Sequence, residues 1–288
     1  MEPFDITELP DTLTDINELV FNYKTPKYNQ YPLWTDPHSP AIRQKVWHET
    51  LAYYKDYIVE NPTIKYTHVP TQEELDTLKV FPKTDIEVIN QDTFYATETL
   101  IKHGFKPMVL NMADWDVAGG CVHGGAKTQE EELFRRSNYY KHLLHEFYPL
   151  DTYDLMVSFD VEVNRDGPDT DYANRKEPFK CNIIASPALD SPVLNYKENE
   201  NDMIGTLNED DELIMYNKIR QLIYYSAQHE CDSIVLSAWG CGAFHLPASQ
   251  IAAIFRKVLS ETDGCLRKAV FAATNHKDNY DIFKSIIG

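Results

Sequence analysis

The sequence has no long apolar run and no paired-cysteine motif, and both absences exclude classes of protein. No stretch of its 288 residues approaches the ~20 consecutive apolar residues that a membrane-spanning helix needs. The cysteines number five, stand apart and form no Cys-x-x-Cys pair, which favours free thiols in a reducing compartment. The first residues lack the basic and apolar regions of a signal peptide. We therefore expect an intracellular protein without a membrane partner, located in the cytoplasm or, in a eukaryote, alternatively in the nucleus.

Positive charge is also scarce, with 27 Lys and Arg against 45 Asp and Glu and a formal net charge of -18. Nucleic-acid binding depends on clustered basic residues that neutralise phosphates, so this balance disfavours direct binding to duplex nucleic acid. Any phosphate that the protein binds is then expected in a local pocket built from backbone N–H groups.

Metal-binding patterns are missing as well. The ten histidines are scattered without a His-Glu-x-x-His motif, and Cys121 with His123 forms only a fragment of a zinc site. Cys121 and Cys241 lie in glycine-rich loops, but no partner histidine can be assigned to either, and small-residue packing is the simpler interpretation. We expect no metal and no cofactor.

Strands that alternate with helices predict an α/β fold around a mostly parallel sheet. Residues 1–40 are predicted to form an arm with a weakly helical segment at 6–20. The predicted strands are 64–69, 86–90, 108–112, 155–163, 181–186, 233–238 and 268–273. The predicted helices are 41–59, 71–79, 92–103, 129–147, 209–230, 246–260 and 277–287, with polar loops at 164–178 and 187–203.

Two glycine-rich loops follow predicted strands, where ligands bind in sheets of this kind. The first contains Gly119, Gly120, Gly124 and Gly125 and leads into a helix that begins near Gln129. Glycine lets backbone N–H groups approach an anion, and a helix N-terminus is partially positive, so this arrangement is typical of a phosphate cradle. The second loop, residues 239–244, reads Trp-Gly-Cys-Gly-Ala-Phe, and an ordinary tight turn is its alternative.

Three carboxylates, Glu130, Glu131 and Glu132, follow the first loop at once. The stretch Thr128-Gln129-Glu130-Glu131 fits a capping box, and acidic residues suit the first turn of a helix. The alternative is that a carboxylate beside a bound sugar phosphate serves as an acid or base for glycosidic cleavage. The residues alone leave both interpretations open.

Two further residues have a structural and a functional interpretation. Asp92 precedes a predicted helix, where it can be an ordinary N-cap or a contact for a nucleobase amine. Phe244 can pack in the core or stack on a base or sugar.

The segment NMADWDVAGGCVHGGAKTQEEELFRRS resembles the signature of bacterial-type poly(ADP-ribose) glycohydrolases, which belong to the macrodomain superfamily. That signature joins Asn-x-Ala (Asn111 to Ala113), three glycines (matched by Gly119, Gly120 and Cys121) and Gln-Glu-Glu. The segments SAWGCGAFHLP and VINQDTFYAT resemble the diphosphate loop and the adenine-side segment of the same family. The resemblance covers about residues 40 to 287.

The resemblance implies a three-layer macrodomain-like fold, with a mixed sheet between helices, an N-terminal helical extension and one catalytic domain over 41–288. The implied activity is hydrolysis of ribose–ribose bonds in poly(ADP-ribose) to release ADP-ribose, without a metal. We expect the protein to be a monomer. Glu131 would be the acid/base and Glu130 would hold the ribose on the far side of the scissile bond. The implied ligand contacts are Asp92, Asn111, Gly119, Gly120, Cys121, Gln129, Gly240, Cys241, Gly242, Ala243 and Phe244.

Two residues depart from the family pattern. Cys121 replaces the third glycine, which adds a side chain where the backbone of the family approaches its ligand. Asp114 stands where the family often has Asn and adds a negative charge. These departures keep two alternatives open: a hydrolase of single ADP-ribose groups on proteins or nucleic acids, and an ADP-ribose-binding macrodomain without catalysis.

Overall fold

A computed structural model of the chain describes residues 39–199, 202–274 and 278–288, with side chains described except at 196–199 and 202–204. The predicted arm and its helical extension lie outside these ranges. The described residues fall into two compact units that interleave along the chain. The glutamate unit comprises residues 39–67 and 97–187, and the terminal unit comprises residues 68–96 and 188–288, each without the gaps just given.

The glutamate unit contains a mixed sheet. Its elements are α1 (Pro40–Tyr53), β1 (Ile64–Tyr66), the greater part of α3 (Thr93–Lys102), β3 (Pro107–Ala113), α4 (Gln129–Arg135), β4 (Leu155–Arg165) and β5 (Asn174–Pro187). Strand β4 pairs antiparallel with β1 and with β5, and β3 pairs parallel with β5. Strand β3 is almost wholly buried, as expected for a parallel strand covered on both faces.

The terminal unit contains a parallel arrangement. Its elements are α2 (Gln72–Thr77), β2 (Asp85–Ile89), β6 (Asn195–Asn199), β7 (Asp202–Thr206), α5 (Glu209–Gln228), β8 (Ser233–Leu236), α6 (Ala248–Glu261), β9 (Lys268–Ala272) and α7 (Asn279–Ile286). Strand β9 pairs parallel with β2 and with β8, and β6 pairs antiparallel with β7. The core of this unit includes a cluster of three rings, in which Phe255 meets Phe271 edge to face and Phe283 packs against both at a tilt.

The predicted α/β class and the mixed sheet are confirmed, but the expectation of a mostly parallel sheet is wrong for the glutamate unit, where β4 runs antiparallel to both neighbours. Two predicted polar loops contain strands. Strand β5 begins at Asn174 because it pairs with the far end of β4. Strand β6 and the first residues of β7 fall in the second predicted loop, and the two strands pair antiparallel.

The predicted helix over 129–147 is also wrong, because α4 ends at Arg135. Ser137 forms an isolated bridge with Val163 of β4, and its hydroxyl donates to the Leu133 carbonyl at 2.6 Å. Asn138 then exchanges hydrogen bonds with Glu162, so the chain leaves the helix to pair with the sheet.

Helix α1 ends at Tyr53, earlier than its apolar pattern predicts. Three large apolar residues of the predicted helix, Ile42, Tyr53 and Ile58, are exposed. The buried face instead carries Arg43, Val46, Trp47 and Thr50. Among the described residues, no helix is long and apolar enough to cross a membrane.

Candidate active site

The side chain of Gln129 fixes the start of α4 against the edge of β3. Its Oε1 accepts a hydrogen bond from the Met112 amide at 3.0 Å, and its Nε2 donates to the Leu110 carbonyl at 2.6 Å. Both ends of the amide are therefore engaged by backbone. This arrangement orients the first turn of α4, so that the next two residues face the first glycine loop.

Glu130 is 2% exposed and its carboxylate is surrounded by donors. Oε1 accepts from Asn111 Nδ2 at 3.1 Å and from the Gly119 amide at 3.2 Å, and Oε2 accepts from the Asp114 amide at 2.8 Å. Burial raises the pKa of Glu130 to about 8, and the neighbouring Glu131 adds to the rise, while the hydrogen bonds oppose it. Such a perturbed carboxyl group is typical of a functional site.

Glu131 is also buried, at 5% exposure, and it is held by one donor from the glycine loop and one from the N-cap residue of its own helix. Oε1 accepts from the Cys121 amide at 3.0 Å, and Oε2 accepts a short hydrogen bond from the Thr128 hydroxyl. The Thr128 side chain makes no bond to the helix backbone, so the capping box predicted here does not form. The carboxylate that would cap the helix points into the loop instead.

Two glycines make room for this arrangement. At Gly119, φ is 78°, and an added Cβ would lie 2.6 Å from the Phe134 ring. At Gly120, φ is 50°, and an added Cβ would lie 2.8 Å from Glu131 Oε1 and 3.3 Å from Glu130 Oε2. Any side chain at Gly120 would therefore push on the carboxylates themselves.

The amides of the first glycine loop are largely occupied. Those of Gly119 and Cys121 bind the two glutamates, and that of Gly120 donates to the Val117 carbonyl at 3.1 Å. The predicted phosphate cradle is thus, in this structure, a cradle for carboxylates. Contacts of Gly119, Gly120 and Cys121 with a ligand remain a prediction.

Glu132, the third carboxylate, has a structural role. It pairs with Arg135 at 2.5 Å and accepts from the Tyr172 hydroxyl at 2.9 Å. Arg135, which is fully buried, also donates to the Ala126 carbonyl at 2.6 Å. The bond from Arg135 to Ala126 anchors the end of the loop to α4, and the ion pair with Glu132 holds Arg135 in place.

Neither departure from the family signature disturbs the carboxylate pair. Asp114 Oδ1 accepts from the amides of Asp116 at 2.7 Å and Val117 at 3.0 Å, so its carboxylate caps its own turn. Cys121 is exposed and free, and it is its backbone that holds Glu131.

The second glycine loop, residues 239–244, belongs to the terminal unit. It differs from the first because some of its backbone amides have no hydrogen bond to any residue that the structure describes. At Gly240, φ is 77°, and an added Cβ would collide with Leu246 and Ala188. Within the described part of the chain, the amides of Ala243 and Phe244 have no acceptor, whereas Cys241 donates to the Ala238 carbonyl. Free amides in a glycine loop suit an anion. Gly242 has open space beside its Cα, Cys241 is buried, Ala243 is exposed and Phe244 is half-buried.

Asp92, also in the terminal unit, has the geometry of an N-cap. Its Oδ1 accepts from the amides of Phe94 at 3.0 Å and Tyr95 at 3.2 Å at the start of α3. The structural interpretation of Asp92 is thus confirmed, and a contact with adenine remains a prediction.

The sequence did not indicate two tyrosines that lie near the glutamates, Tyr139 and Tyr148. Asn111 Nδ2 lies 3.4 Å from the hydroxyl of Tyr139, whose pKa is raised well above its usual value by burial. Burial also raises the pKa of Tyr148, with a contribution from Glu130, and its buried hydroxyl has no partner among the described residues. No local motif indicated either tyrosine, because both lie in 3₁₀ or irregular segments beyond α4.

No group of three or more His, Cys, Asp and Glu side chains that could hold a metal ion occurs in residues 39–199, 202–274 and 278–288.

Comparison with known proteins gives one family and one fold. The family model "Microbial-type PARG, catalytic domain" (PARG denoting poly(ADP-ribose) glycohydrolase) matches residues 41–160. No curated protein gives a significant match to the chain.

Solved structures of bacterial poly(ADP-ribose) glycohydrolases share the fold. The enzyme from Thermomonospora curvata with the inhibitor ADP-HPD is 23% identical, with a TM-score of 0.66 over 84% of this chain and 98% of its own. The enzyme from Deinococcus radiodurans in complex with ADP-ribose is 25% identical, with a TM-score of 0.64 over 81% of this chain and 95% of its own. The resemblance to bacterial-type poly(ADP-ribose) glycohydrolases is therefore confirmed, by the family model over residues 41–160 and by the fold over more than four fifths of the chain.

Proposed function

We propose that this protein is a poly(ADP-ribose) glycohydrolase that hydrolyses ribose–ribose O-glycosidic bonds and releases ADP-ribose. The observation that carries the proposal is the pair Glu130 and Glu131, which are buried side by side and held by loop amides. The family match over residues 41–160 and the fold shared with enzymes solved with ADP-ribose or ADP-HPD support the choice of substrate.

Glu131 is the general acid and then the general base. Its carboxyl group donates a proton to the departing ribose oxygen as the glycosidic bond breaks through an oxocarbenium-like state. The resulting carboxylate accepts a proton from the water that attacks the anomeric carbon, which restores the acid and leaves ADP-ribose with a new hydroxyl group. The Cys121 amide and the Thr128 hydroxyl support this role because each can hold the carboxylate in place through both steps.

Glu130 holds the ribose on the far side of the scissile bond. Its raised pKa supports this assignment, because a protonated carboxyl group can donate to a sugar oxygen and an ionised one can accept from a hydroxyl. Asn111 and Gly119 orient Glu130 and line the same position. Gln129 supports the pair through β3, and Gly120 and Cys121 leave the backbone close to the reacting sugar.

Asp92 and the second glycine loop are proposed as contacts for other parts of the ligand. By the family resemblance, Asp92 would accept a hydrogen bond from the adenine amine. The amides of the loop from Gly240 to Phe244, which includes Cys241, Gly242 and Ala243, would hold the diphosphate, and the unpaired amides of Ala243 and Phe244 support this.

Several wider properties belong to the same proposal. Residues 41–288 form the catalytic region, no metal or cofactor takes part, and the partners are ADP-ribose and poly(ADP-ribose) on modified proteins rather than duplex nucleic acid. The five free cysteines support an intracellular, cytoplasmic location. The protein acts as a monomer.

The test is digestion of poly(ADP-ribose) by the wild type and by Glu131→Gln, with ADP-ribose binding measured by calorimetry. The wild type should release ADP-ribose, and the variant should bind it with similar affinity but cleave the polymer at least ~10³-fold more slowly. A wild type that binds but leaves the polymer intact, while it removes single ADP-ribose groups from a modified protein, would establish the mono-ADP-ribosyl hydrolase instead. Binding without any turnover would establish a binding macrodomain.

A further inference from the structure

Helix α1 holds the outer side of the first glycine loop through several contacts. Arg43 Nε donates to the Gly125 carbonyl at 2.5 Å, and Gln44 Nε2 donates to the His123 carbonyl at 3.0 Å. Gly125 has a φ of 75° and lies so close to the Pro40 carbonyl that an added Cβ would collide with it. The loop is therefore fixed from outside as well as by the glutamates within it.

The side chain of His123 adds a contact of a different kind. The buried indole of Trp47 donates from Nε1 to His123 Nδ1 at 3.2 Å, and the two rings meet edge to face with centroids 5.7 Å apart. An indole N–H is only a donor, and leaving a buried donor without an acceptor is costly. Because Nδ1 accepts, the proton of the neutral imidazole lies on Nε2.

Two routes connect this contact to the carboxylates. His123 lies in a single 3₁₀ turn (Val122–Gly124) that is closed by a hydrogen bond from the Gly124 amide to the Cys121 carbonyl at 3.0 Å, and the Cys121 amide binds Glu131. The Trp47 ring also packs against Phe134, at 6.4 Å between centroids. The Phe134 ring is the group that lies beside Gly119, whose amide binds Glu130.

We propose that His123 is a positioning residue for the reaction, acting through Trp47 and the loop backbone to hold the Cys121 and Gly119 amides on the two glutamates. The proposal rests on the proposed function, because it assigns these glutamates to catalysis. His123 is exposed, and its replacement by Ala removes both its hydrogen bond and its ring contact with Trp47, whereas replacement by Asn removes the ring but keeps an acceptor. The pair of variants therefore separates the hydrogen bond from the ring contact.

The experiment compares His123→Ala with His123→Asn, whose Oδ1 can take the position of Nδ1 as acceptor. His123→Ala should lower kcat on poly(ADP-ribose) about tenfold, because misplaced carboxylates slow the chemical step. KM should stay within about twofold, because the contacts proposed at Asp92 and at residues 240–244 are untouched. His123→Asn should restore kcat to within about twofold of the wild type. His145→Ala, which removes another exposed histidine of the same unit, is the matched control and should leave kcat unchanged.

A second readout does not depend on activity. Hydrogen–deuterium exchange of peptides covering residues 119–126 should be faster in His123→Ala than in the wild type and slow again in His123→Asn, with thermal melts confirming that all variants are folded. Wild-type kcat in His123→Ala, equal loss in both variants, or unchanged exchange would each overturn the positioning role. A wild type that leaves the polymer intact would overturn the proposed function alone, and the exchange data would still decide the hydrogen-bonding role of His123.

Discussion

The tetrapeptide Thr-Gln-Glu-Glu occurs twice in this chain, at residues 71–74 and 128–131, and each copy starts a helix. The first copy forms a complete capping box. Thr71 Oγ1 accepts from the Glu74 amide at 3.2 Å, and Glu74 Oε2 accepts from the Thr71 amide at 2.7 Å. The second copy gives up this box and turns its glutamates into the glycine loop.

The capping box at residues 71–74 and the buried glutamates at residues 128–131 contribute differently to stability, and this difference indicates different roles. A capping box stabilises a helix by about 1 kcal/mol, and burying carboxylates costs several kcal/mol unless donors compensate. Residues 128–131 lack the stabilisation of a capping box, and their two carboxylates are buried, so loop amides must offset the cost of burial. Departure from the locally favoured arrangement is expected where a site needs defined geometry for chemistry, and it is not needed where a helix only has to start.

The largest expected effect comes from filling the space beside Gly120 that the carboxylates of Glu130 and Glu131 occupy. Gly120→Ala should lower kcat about 100-fold, because the new Cβ lies 2.8 Å from Glu131 Oε1 and displaces the carboxylate. Gly104→Ala is the matched control, because Gly104 has a similar positive φ, 79°, but no atom within 4 Å of an added Cβ. Both variants should lose about 1 kcal/mol of stability from backbone strain, and only Gly120→Ala should lose activity. Equal kcat in the two variants would contradict this prediction.

The contributions of Glu130 and Glu74 to folding stability should change in opposite directions as the pH rises. The pKa of Glu130 is raised to about 8 by burial, so the native state binds more protons than the unfolded chain between the unfolded pKa of 4.5 and about 8. Its contribution to stability is thus complete below pH 4.5 and is lost as the pH rises through 8. Between pH 5.5 and 8.5, urea unfolding should show that the wild type loses about 3 kcal/mol more than Glu130→Gln, because stability falls by about 1.4 kcal/mol per pH unit until the pH reaches about 8.

Glu74 provides the contrast. The backbone hydrogen bond to Thr71 lowers the pKa of Glu74, so its contribution is present above the unfolded pKa and is lost as the pH falls. Glu74→Gln should therefore flatten the acid side of the stability profile and leave the alkaline side as in the wild type. Parallel profiles for both variants would contradict the assignment of opposite shifts.

How much of the molecule its sequence could predict follows from the same comparison. Helices and strands with clear boundaries were predicted to within a few residues, as at β3, α5 and β9, because periodicity and caps are local signals. The end of α4 was missed because Ser137 leaves the helix to meet Val163, a partner far along the chain. Within the site, the family signature pointed to Glu130 and Glu131, but no local pattern could show that the loop amides bind these carboxylates.

Gln72 and Gln129, the glutamines of the two copies, differ in their hydrogen-bond partners. Gln129→Ala should lower the free energy of unfolding by about 1.5 kcal/mol, because it leaves the Met112 amide and the Leu110 carbonyl of β3 without their partner. Gln72 is exposed, and its Nε2 donates to Asp76 on its own helix at 3.0 Å and to the Glu261 carbonyl at 3.4 Å. Because both bonds are exposed to water, Gln72→Ala should change stability by less than about 0.5 kcal/mol. Urea denaturation measures both, and similar losses would show that Gln129 has no special role at β3.

Substitutions of Thr71 and Thr128 have the smallest expected effect. They test directly whether the Thr128 hydroxyl orients Glu131 rather than caps the helix. Thr128→Val removes the hydroxyl that donates to Glu131 Oε2 while it keeps the shape of the side chain, so kcat should fall about tenfold with little change in stability. Thr71→Val removes the N-cap oxygen of α2 and should lower stability by about 1 kcal/mol with kcat unchanged. Steady-state kinetics and urea denaturation on the two variants separate these outcomes. If Thr128→Val destabilised the protein as much as Thr71→Val and left kcat intact, Thr128 would be an ordinary cap and the orientation of Glu131 would have to come from the Cys121 amide alone.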